Sequence, residues 1–252
     1  MDNTDQFIKQ FGEVAGKGAQ AVVYVRDDIA VKVFNVGYLK PFVFYEAMVM
    51  TYIEDAGLPT PKIYEVLAVN GQMALKMSRA KGESLDDIML KDSGKIPAIL
   101  DKMIDLQRQI HKKSIPAIIG LKQKLKFIIT GNSALTFEQK TDLLKLTDTL
   151  PEGSGLCHGD FHGRNILYNG KDYTIIDWID VASGCVLGDV CRTYLIYALE
   201  AQYIADLYLE KYCTATGALK RDILCWAPVY AGSLIGQINE KYNKRLLEFL
   251  CR

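Results

Sequence analysis

The chain has 252 residues, with 30 basic and 30 acidic side chains and a formal net charge of zero. That length is enough to bury a sizeable core in two lobes, and the balanced charge provides no polybasic surface for nucleic acid or an anionic membrane. The cysteines at 157, 185, 191, 213, 225 and 251 show no CxxC pair and no framework spacing, so they read as reduced, mostly buried thiols. The opening residues MDNTDQFIKQF carry acids and no apolar core of signal length, which sets the expectation of a cytoplasmic protein. Internal repeats, low-complexity tracts and flexible linkers are absent from the sequence.

In chain order, the first chemical signal is Gly16-Lys17-Gly18-Ala19-Gln20-Ala21-Val22-Val23, a GxGxxGxV pattern with Ala21 in place of the third glycine. A dinucleotide fingerprint would open a helix here. Instead the glycines run into AVVYV, a β-branched and aromatic run that predicts a strand, and after the polar turn Arg26-Asp27-Asp28 a second strand, IAVKVF, carries Lys32. Side chains alternate along a strand, so Lys32 faces away from Val31 and Val33. A lysine turned toward a core needs an acid partner, since desolvation otherwise drives off its proton. The next segment, KPFVFYEAMVMTYIEDAG, predicts a helix with Phe42, Tyr45, Val49 and Ile53 on its apolar face and Gly57 as its stop. It provides two candidate acids, Glu46 and Glu54.

A hairpin follows, turning at Asn70-Gly71, and then SRAKGESLDDIM, in which Ser84 is suited to cap a helix. From there the pattern is mainly helical. IPAILDKMIDLQRQIHKKSIP places Ile99, Met103, Leu106 and Ile110 on one face and ends at His111, which reads either as a packing or capping residue or as an exposed one. LKQKLKFIIT and LTFEQKTDLLKLTDTL predict two more helices. The uncharged stretch Ile223–Ile238, at about 1.5 Å per residue, falls short of a bilayer core of roughly 30 Å and predicts a buried helix instead.

The most specific signal is CHGDFHGRNIL at 157–167, followed by IIDWID at 175–180. Asp160, Asn165 and Asp177 provide oxygen atoms of the kind that suits Mg²⁺, a hard cation that borrows one or two carboxylates and completes its shell with phosphates and water. His158 and His162 have the i, i+4 spacing of a zinc-binding helix, but Gly159 and Gly163 each cost a helix roughly 1 kcal/mol and the acid is misplaced for that chemistry. His158 is read as a structural residue bonding the loop backbone.

His158, Gly159, Asp160, His162 and Asn165, followed by Asp177 and Trp178, resemble the aminoglycoside phosphotransferase and choline kinase family of the protein-kinase-like superfamily. The resemblance implies an α+β, two-lobed protein-kinase-like fold: an N-terminal lobe at residues 1–79 with an antiparallel sheet plus one helix, and a larger, mainly helical lobe at 80–252. It implies ATP or GTP under the loop of Gly16, Gly18, Ala21 and Val23, with Lys32 on the phosphates and Glu46, chosen over Glu54 by the alignment, holding that lysine. It also implies the adenine ring beside Lys76, Met77, Ser78 and Arg79, Mg²⁺ on Asn165 and Asp177, and Asp160 as the base that orients the acceptor hydroxyl. Asp189 is expected to brace the catalytic loop, while Cys185 stands where the family commonly has an acid. The implied acceptor is a small hydroxylated molecule, an aminoglycoside met by Asp180, Glu200 and Glu240 or another metabolite. A protein Ser/Thr kinase-like enzyme is disfavoured because no APE-like segment follows Asp177, and a non-catalytic nucleotide-binding regulatory protein is the other alternative. Oligomeric state is not encoded in any of these signals.

Overall fold

The computed structural model of the protein describes residues 3–250. The elements run α1 (Asn3–Phe11), β1 (Glu13–Lys17), β2 (Ala21–Arg26), β3 (Ile29–Phe34), α2 (Lys40–Asp55), β4 (Ile63–Val69), β5 (Gln72–Ser78) and β6 (Glu83–Ser84). There follow α3 (Leu85–Lys91), α4 (Ile96–His111), α5 (Leu121–Gly131), α6 (Phe137–Thr149), β7 (Gly155–Cys157), β8 (Ile166–Tyr168), β9 (Tyr173–Ile175) and β10 (Ala182–Gly184). The rest is helical: α7 (Val186–Glu200), α8 (Gln202–Thr216), α9 (Lys220–Leu224), α10 (Ala227–Leu234) and α11 (Asn243–Leu250). Two compact units result, one of residues 1–84 with 166–179 and one of 85–165 with 180–252. Residues 166–179 group with the first unit through the β6-β8-β9 sheet.

In the first unit, β1-β2-β3-β5-β4 form an antiparallel sheet. The β4–β5 turn places Asn70 (φ 50°) and Gly71 (φ 78°) in the left-handed region, as a two-residue hairpin turn matched to strand twist requires. The two faces of β3 separate as alternation demands: Ala30 and Phe34 pack with Val43, Ala47 and Met50 of α2, while Val31 and Val33 pack with Phe7 of α1 and Tyr24. The first unit therefore holds α1 in addition to the one expected helix, and it covers the second face of the sheet. Its signal was the i, i+4 pair Phe7 and Phe11, whose rings stack at 6.2 Å.

Helix α2 starts with Pro41 in its first turn, where a missing N–H costs nothing, and Gly57 (φ 73°) follows its end. Its buried stripe is Val43, Glu46, Ala47, Val49, Met50 and Ile53. Phe42, expected on that face, is 51% exposed. The segment is apolar nearly all round, so periodicity placed Val49 and Ile53 correctly but put Phe42 on the buried face.

In the second unit, α4 buries Ile99, Met103, Leu106 and Ile110 as its spacing predicts. α6 is opened by a full capping box, Thr136 with Gln139. β7 and β10 pair antiparallel, and Trp226, Tyr208, Phe161 and Leu100 lie fully buried, the last two each worth roughly 1.5–3 kcal/mol in apolar burial. The uncharged stretch is not one helix: it holds the end of α9 and the eight-residue α10, which is buried along nearly all its length. Among the described residues no helix is long and apolar enough to cross a membrane. The cysteines correct their expectation in part: Cys157 and Cys191 are buried, Cys185 and Cys213 half-buried and Cys225 exposed, all free, while Cys251 lies outside the described residues. Cys225 follows a five-residue helix on the surface, where the neighbouring apolar run gave no sign of exposure.

Candidate active site

The first unit assembles the loop, the lysine and its acid on adjacent strands and one helix. Gly16 of β1 pairs with Val23 of β2 after a register shift, and the Gly18 amide donates to the Ala21 carbonyl at 2.9 Å to close the turn. Ala21 is buried and belongs to the core under α2. A methyl group there fills space, which accounts for alanine at the third glycine of the pattern. At Gly16, by contrast, a β-carbon would meet nothing within 4 Å, so the loop is open at that point.

Lys32 Nζ donates to Glu46 Oε1 at 2.6 Å, with Glu46 3% and Lys32 18% exposed. Glu54 turns instead to the backbone of β4, accepting from the Ile63 amide at 3.4 Å. The geometry thus pairs Lys32 with Glu46, the acid that the resemblance selected, and not with Glu54. Burial pushes the Glu46 carboxyl above its ordinary range; Lys32 opposes that, and the charge of Asp177 adds to it. Met77 is buried in the same core. Arg79 donates its amide to Asp28 O at 2.8 Å and directs its guanidinium to Asp27 O at 3.4 Å and Glu13 at 3.7 Å.

Asp177 is exposed, with φ 63°, in the left-handed region that costs a β-carbon residue of order 1 kcal/mol. The other non-glycine residues with positive φ are Asp27 and Asn70, both in hairpin turns, whereas Asp177 follows β9 and holds its carboxylate clear of any ion pair among the described residues. Lys32, Glu46 and Asp177 together leave one negative charge, which fits a cation.

The second unit builds the Asp160 loop. Residues 158–162 are not helical, so the zinc-helix geometry does not form. Gly159 has φ 83°, and a β-carbon there would meet the Asp180 carbonyl at 2.1 Å, so no other residue fits. His158 is fully buried, accepts the Asp160 amide on Nδ1 at 3.2 Å and packs edge-on against Phe161. Asn165 is buried and donates from Nδ2 to Asp160 O at 2.9 Å and to Asp160 Oδ2 at 3.3 Å. Its amide nitrogen being engaged, its oxygen is the atom left for a hard cation. Among the described residues no group of three or more His, Cys, Asp or Glu side chains is placed to hold a metal; a magnesium ion in general borrows only one or two carboxylates from a protein.

One face of α7 carries a polar ladder at i, i+3, i+4 and i+8 that grips this loop. Asp189 accepts the Gly159 amide at 2.7 Å. Arg192 donates from Nε to Gly159 O at 3.1 Å and from Nη2 to Asp160 Oδ1 at 3.0 Å. Thr193 donates to Phe161 O at 2.8 Å, and Tyr197 accepts the Gly163 amide at 2.8 Å while donating to Asp86 at 2.9 Å. Behind the ladder, Asp189 also meets His111 Nε2 at 2.9 Å and Gln107 Nε2 at 3.1 Å, and Tyr208 donates to Gln107. His111 is therefore a buried polar partner rather than an exposed residue.

Sequence reading named Asp189 but missed Arg192, Thr193, Tyr197, Gln107 and Tyr208. For the three on α7 the available signal was the helical spacing of polar residues in DVCRTYLIY, a stretch otherwise apolar. Burial raises the Asp160 carboxyl, but the hydrogen bond from His162 and the charges of Arg192, His162 and His158 outweigh it and hold it well below the usual carboxylate range.

Two of the three acids expected to meet a polycation are already engaged. Asp180 pairs with Lys124 at 2.8 Å, and Glu200 pairs with Arg164 at 2.9 Å and accepts from Tyr242. Glu240 is exposed at the start of a short 3-10 turn. A shallow cavity of about 430 Å³ is lined by Leu199, Glu200, Lys241 and Tyr242.

An antiparallel sheet with a buried lysine–glutamate pair, together with a helical unit holding an aspartate–asparagine loop, defines a protein-kinase-like fold. Residues 12–222 match the phosphotransferase enzyme family, and the chain belongs to it. No curated protein sequence matches. Among solved structures, the chain is similar to a thermostable mutant of aminoglycoside phosphotransferase APH(4)-Ia in a ternary complex with ADP and hygromycin B (14% identity, TM-score 0.71, covering 97% of this chain and 95% of that one). It is also similar to the choline kinase LicA from Streptococcus pneumoniae (15%, TM-score 0.67, covering 99% and 97%) and to amicoumacin kinase hAmiN in complex with AMP-PNP, Ca²⁺ and Ami (13%, TM-score 0.64, covering 99% and 92%). At these identities the likeness is one of fold.

Proposed function

We propose that the chain transfers the γ-phosphoryl group of ATP or GTP to a hydroxyl of a small molecule, in the cytoplasm and with Mg²⁺. The observation that carries this reading is the Asp160 carboxylate, kept ionised and tethered by Arg192, His162 and Asn165 on a loop whose backbone is gripped from α7. In the transfer, the bond between the γ-phosphorus and its bridging oxygen breaks, a bond to the acceptor oxygen forms, and the acceptor proton passes to Asp160 and on to solvent. A carboxylate of depressed pKa suits a hydrogen-bond acceptor that orients the hydroxyl, because a loose phosphoryl transition state asks mainly for positioning and charge neutralisation.

Lys32, oriented by Glu46, contacts the nucleotide phosphates. Gly16, Gly18, Ala21 and Val23 cover them, and Met77 and Arg79 mark the strand end beside the base. Asp177 and Asn165 are the proposed ligands of Mg²⁺, which when bound neutralises phosphate charge. Since Asp180 and Glu200 are each matched by a basic side chain, a neutral or weakly charged hydroxylated acceptor, a sugar or an amino alcohol, is favoured over a polycation.

The test is ADP or GDP release with Mg²⁺ across aminoglycosides, choline, sugars and a generic protein substrate, repeated with Asp160→Ala. Turnover with a small hydroxylated compound and a loss of roughly 10²-fold or more in kcat for the variant is the expected result. Tight ATP binding without consumption by any panel member would favour a regulatory nucleotide-binding protein, and transfer to the protein substrate alone would favour the protein kinase reading.

A further inference from the structure

Four side chains of the α7 ladder touch the Asp160 loop, and three of them, Asp189, Thr193 and Tyr197, touch only its backbone. Arg192 differs. It bonds the Gly159 carbonyl through Nε and the Asp160 carboxylate through Nη2, two nitrogens of one rigid planar fork reaching two successive residues. The pair is largely withdrawn from solvent, with Arg192 13% and Asp160 25% exposed. A carboxylate left to itself turns freely about its last bond. With Oδ1 held by Arg192, the other oxygen, Oδ2, is the one that lies toward His162 Nε2 and Asn165 Nδ2, both at 3.3 Å.

Resting on the phosphotransfer reading above, we propose that Arg192 is a positioning residue: its guanidinium locks the Asp160 carboxylate and the peptide before it in one orientation, so that Oδ2 is presented to the acceptor hydroxyl. Arg192 touches neither nucleotide nor acceptor in this scheme and acts through Asp160. The physical demand is geometric, since small misplacements of a reacting group cost up to about 10²-fold in rate. Lysine, a point charge with no fork, can satisfy one of the two contacts but not both.

The experiment compares wild type, Arg192→Lys, Arg192→Met and Arg192→Ala by ADP release from Mg·ATP, with water as the acceptor and with the panel compounds. Thermal melting and ATP titration are run alongside. For Arg192→Met the expected result is a fall in kcat of about 10-fold to 100-fold with KM for ATP unchanged. Arg192→Lys should recover part of the rate, and millimolar guanidinium chloride should restore part of the rate to Arg192→Ala but not to Arg192→Met, whose side chain fills the space. That rescue is a response that a purely structural role would not give. If Arg192→Met fails to fold, Arg192→Lys and the guanidinium response of Arg192→Ala decide the matter. A normal kcat in folded Arg192→Met, a loss confined to KM, or an Arg192→Ala rate indifferent to guanidinium overturns the proposal while leaving the phosphotransfer reading intact. A wild-type protein that binds ATP but releases no ADP with water or any acceptor overturns both.

Discussion

Replacing Asp189 by alanine isolates the contribution of the buried network that holds the Asp160 loop. Asp189 is fully buried and accepts from the Gly159 amide at 2.7 Å, His111 Nε2 at 2.9 Å and Gln107 Nε2 at 3.1 Å. Gln107 keeps Thr193 as a partner at 3.2 Å, so two groups, Gly159 N–H and His111, lose theirs. At about 1–3 kcal/mol for each orphaned buried group, and in line with the cost of breaking a buried pair, the variant should lose roughly 3–5 kcal/mol. For a domain of this size that corresponds to roughly 6–20 °C in Tm. Urea and thermal unfolding followed by circular dichroism give the difference, fitted as two transitions if the two units unfold separately.

The pH dependence supplies a second check. Burial raises the Asp189 carboxyl, but the hydrogen bond and charge of His111 and the Gly159 amide outweigh it and hold it below its ordinary 3.8. A carboxyl lowered on folding contributes stability that is present above its unfolded pKa and is lost as the pH falls through the folded value. The gap between wild type and Asp189→Ala should therefore be flat near neutrality and shrink in acid below about pH 4. Coincident melting curves at pH 7, or a gap that does not close in acid, would refute the account.

Glu46→Gln removes the charge opposite Lys32 and should weaken ATP binding by roughly 10- to 100-fold, the scale of a charge-assisted hydrogen bond, while Glu54→Gln changes it little; calorimetric titration distinguishes them, and equal effects would contradict the assigned partner. Asp177→Gly relieves a left-handed backbone, so melting should show a gain of about 1 kcal/mol together with loss of the Mg²⁺ dependence of nucleotide affinity; an unchanged metal titration counts against Asp177 as a ligand. Gly159→Ala drives a methyl group into the Asp180 carbonyl and should cost about 2 kcal/mol or more by urea denaturation, whereas Gly16→Ala, in open space, should shift stability by less than about 0.5 kcal/mol.

The sequence by itself determined the elements and the chemistry that short-range pattern controls. Alternation gave β2 and β3 and the opposite facing of Lys32 and Val31; Asn70-Gly71 gave its hairpin; the spacing of Ile99, Met103, Leu106 and Ile110 gave α4; and HGDFHGRN pointed to the family. These are local properties, set by backbone sterics and by which side chains share a face within one turn or pleat.

Tertiary structure decided what depends on residues remote in sequence. Whether Glu46 or Glu54 meets Lys32 turns on how α2 is rotated over the sheet, and the same rotation exposes Phe42. Helix α1 shows only the pair Phe7 and Phe11 in sequence, and what that pair packs against is settled by the second face of β3. Gln107 and Asp189, 82 residues apart, and His111 beside them are ordinary polar residues on two separate helices until the fold buries them together and desolvation obliges each donor to find an acceptor. Arg192 belongs to this second group: its place in the helix is periodic and legible, but its grip on Asp160 exists only because α7 lies against the loop.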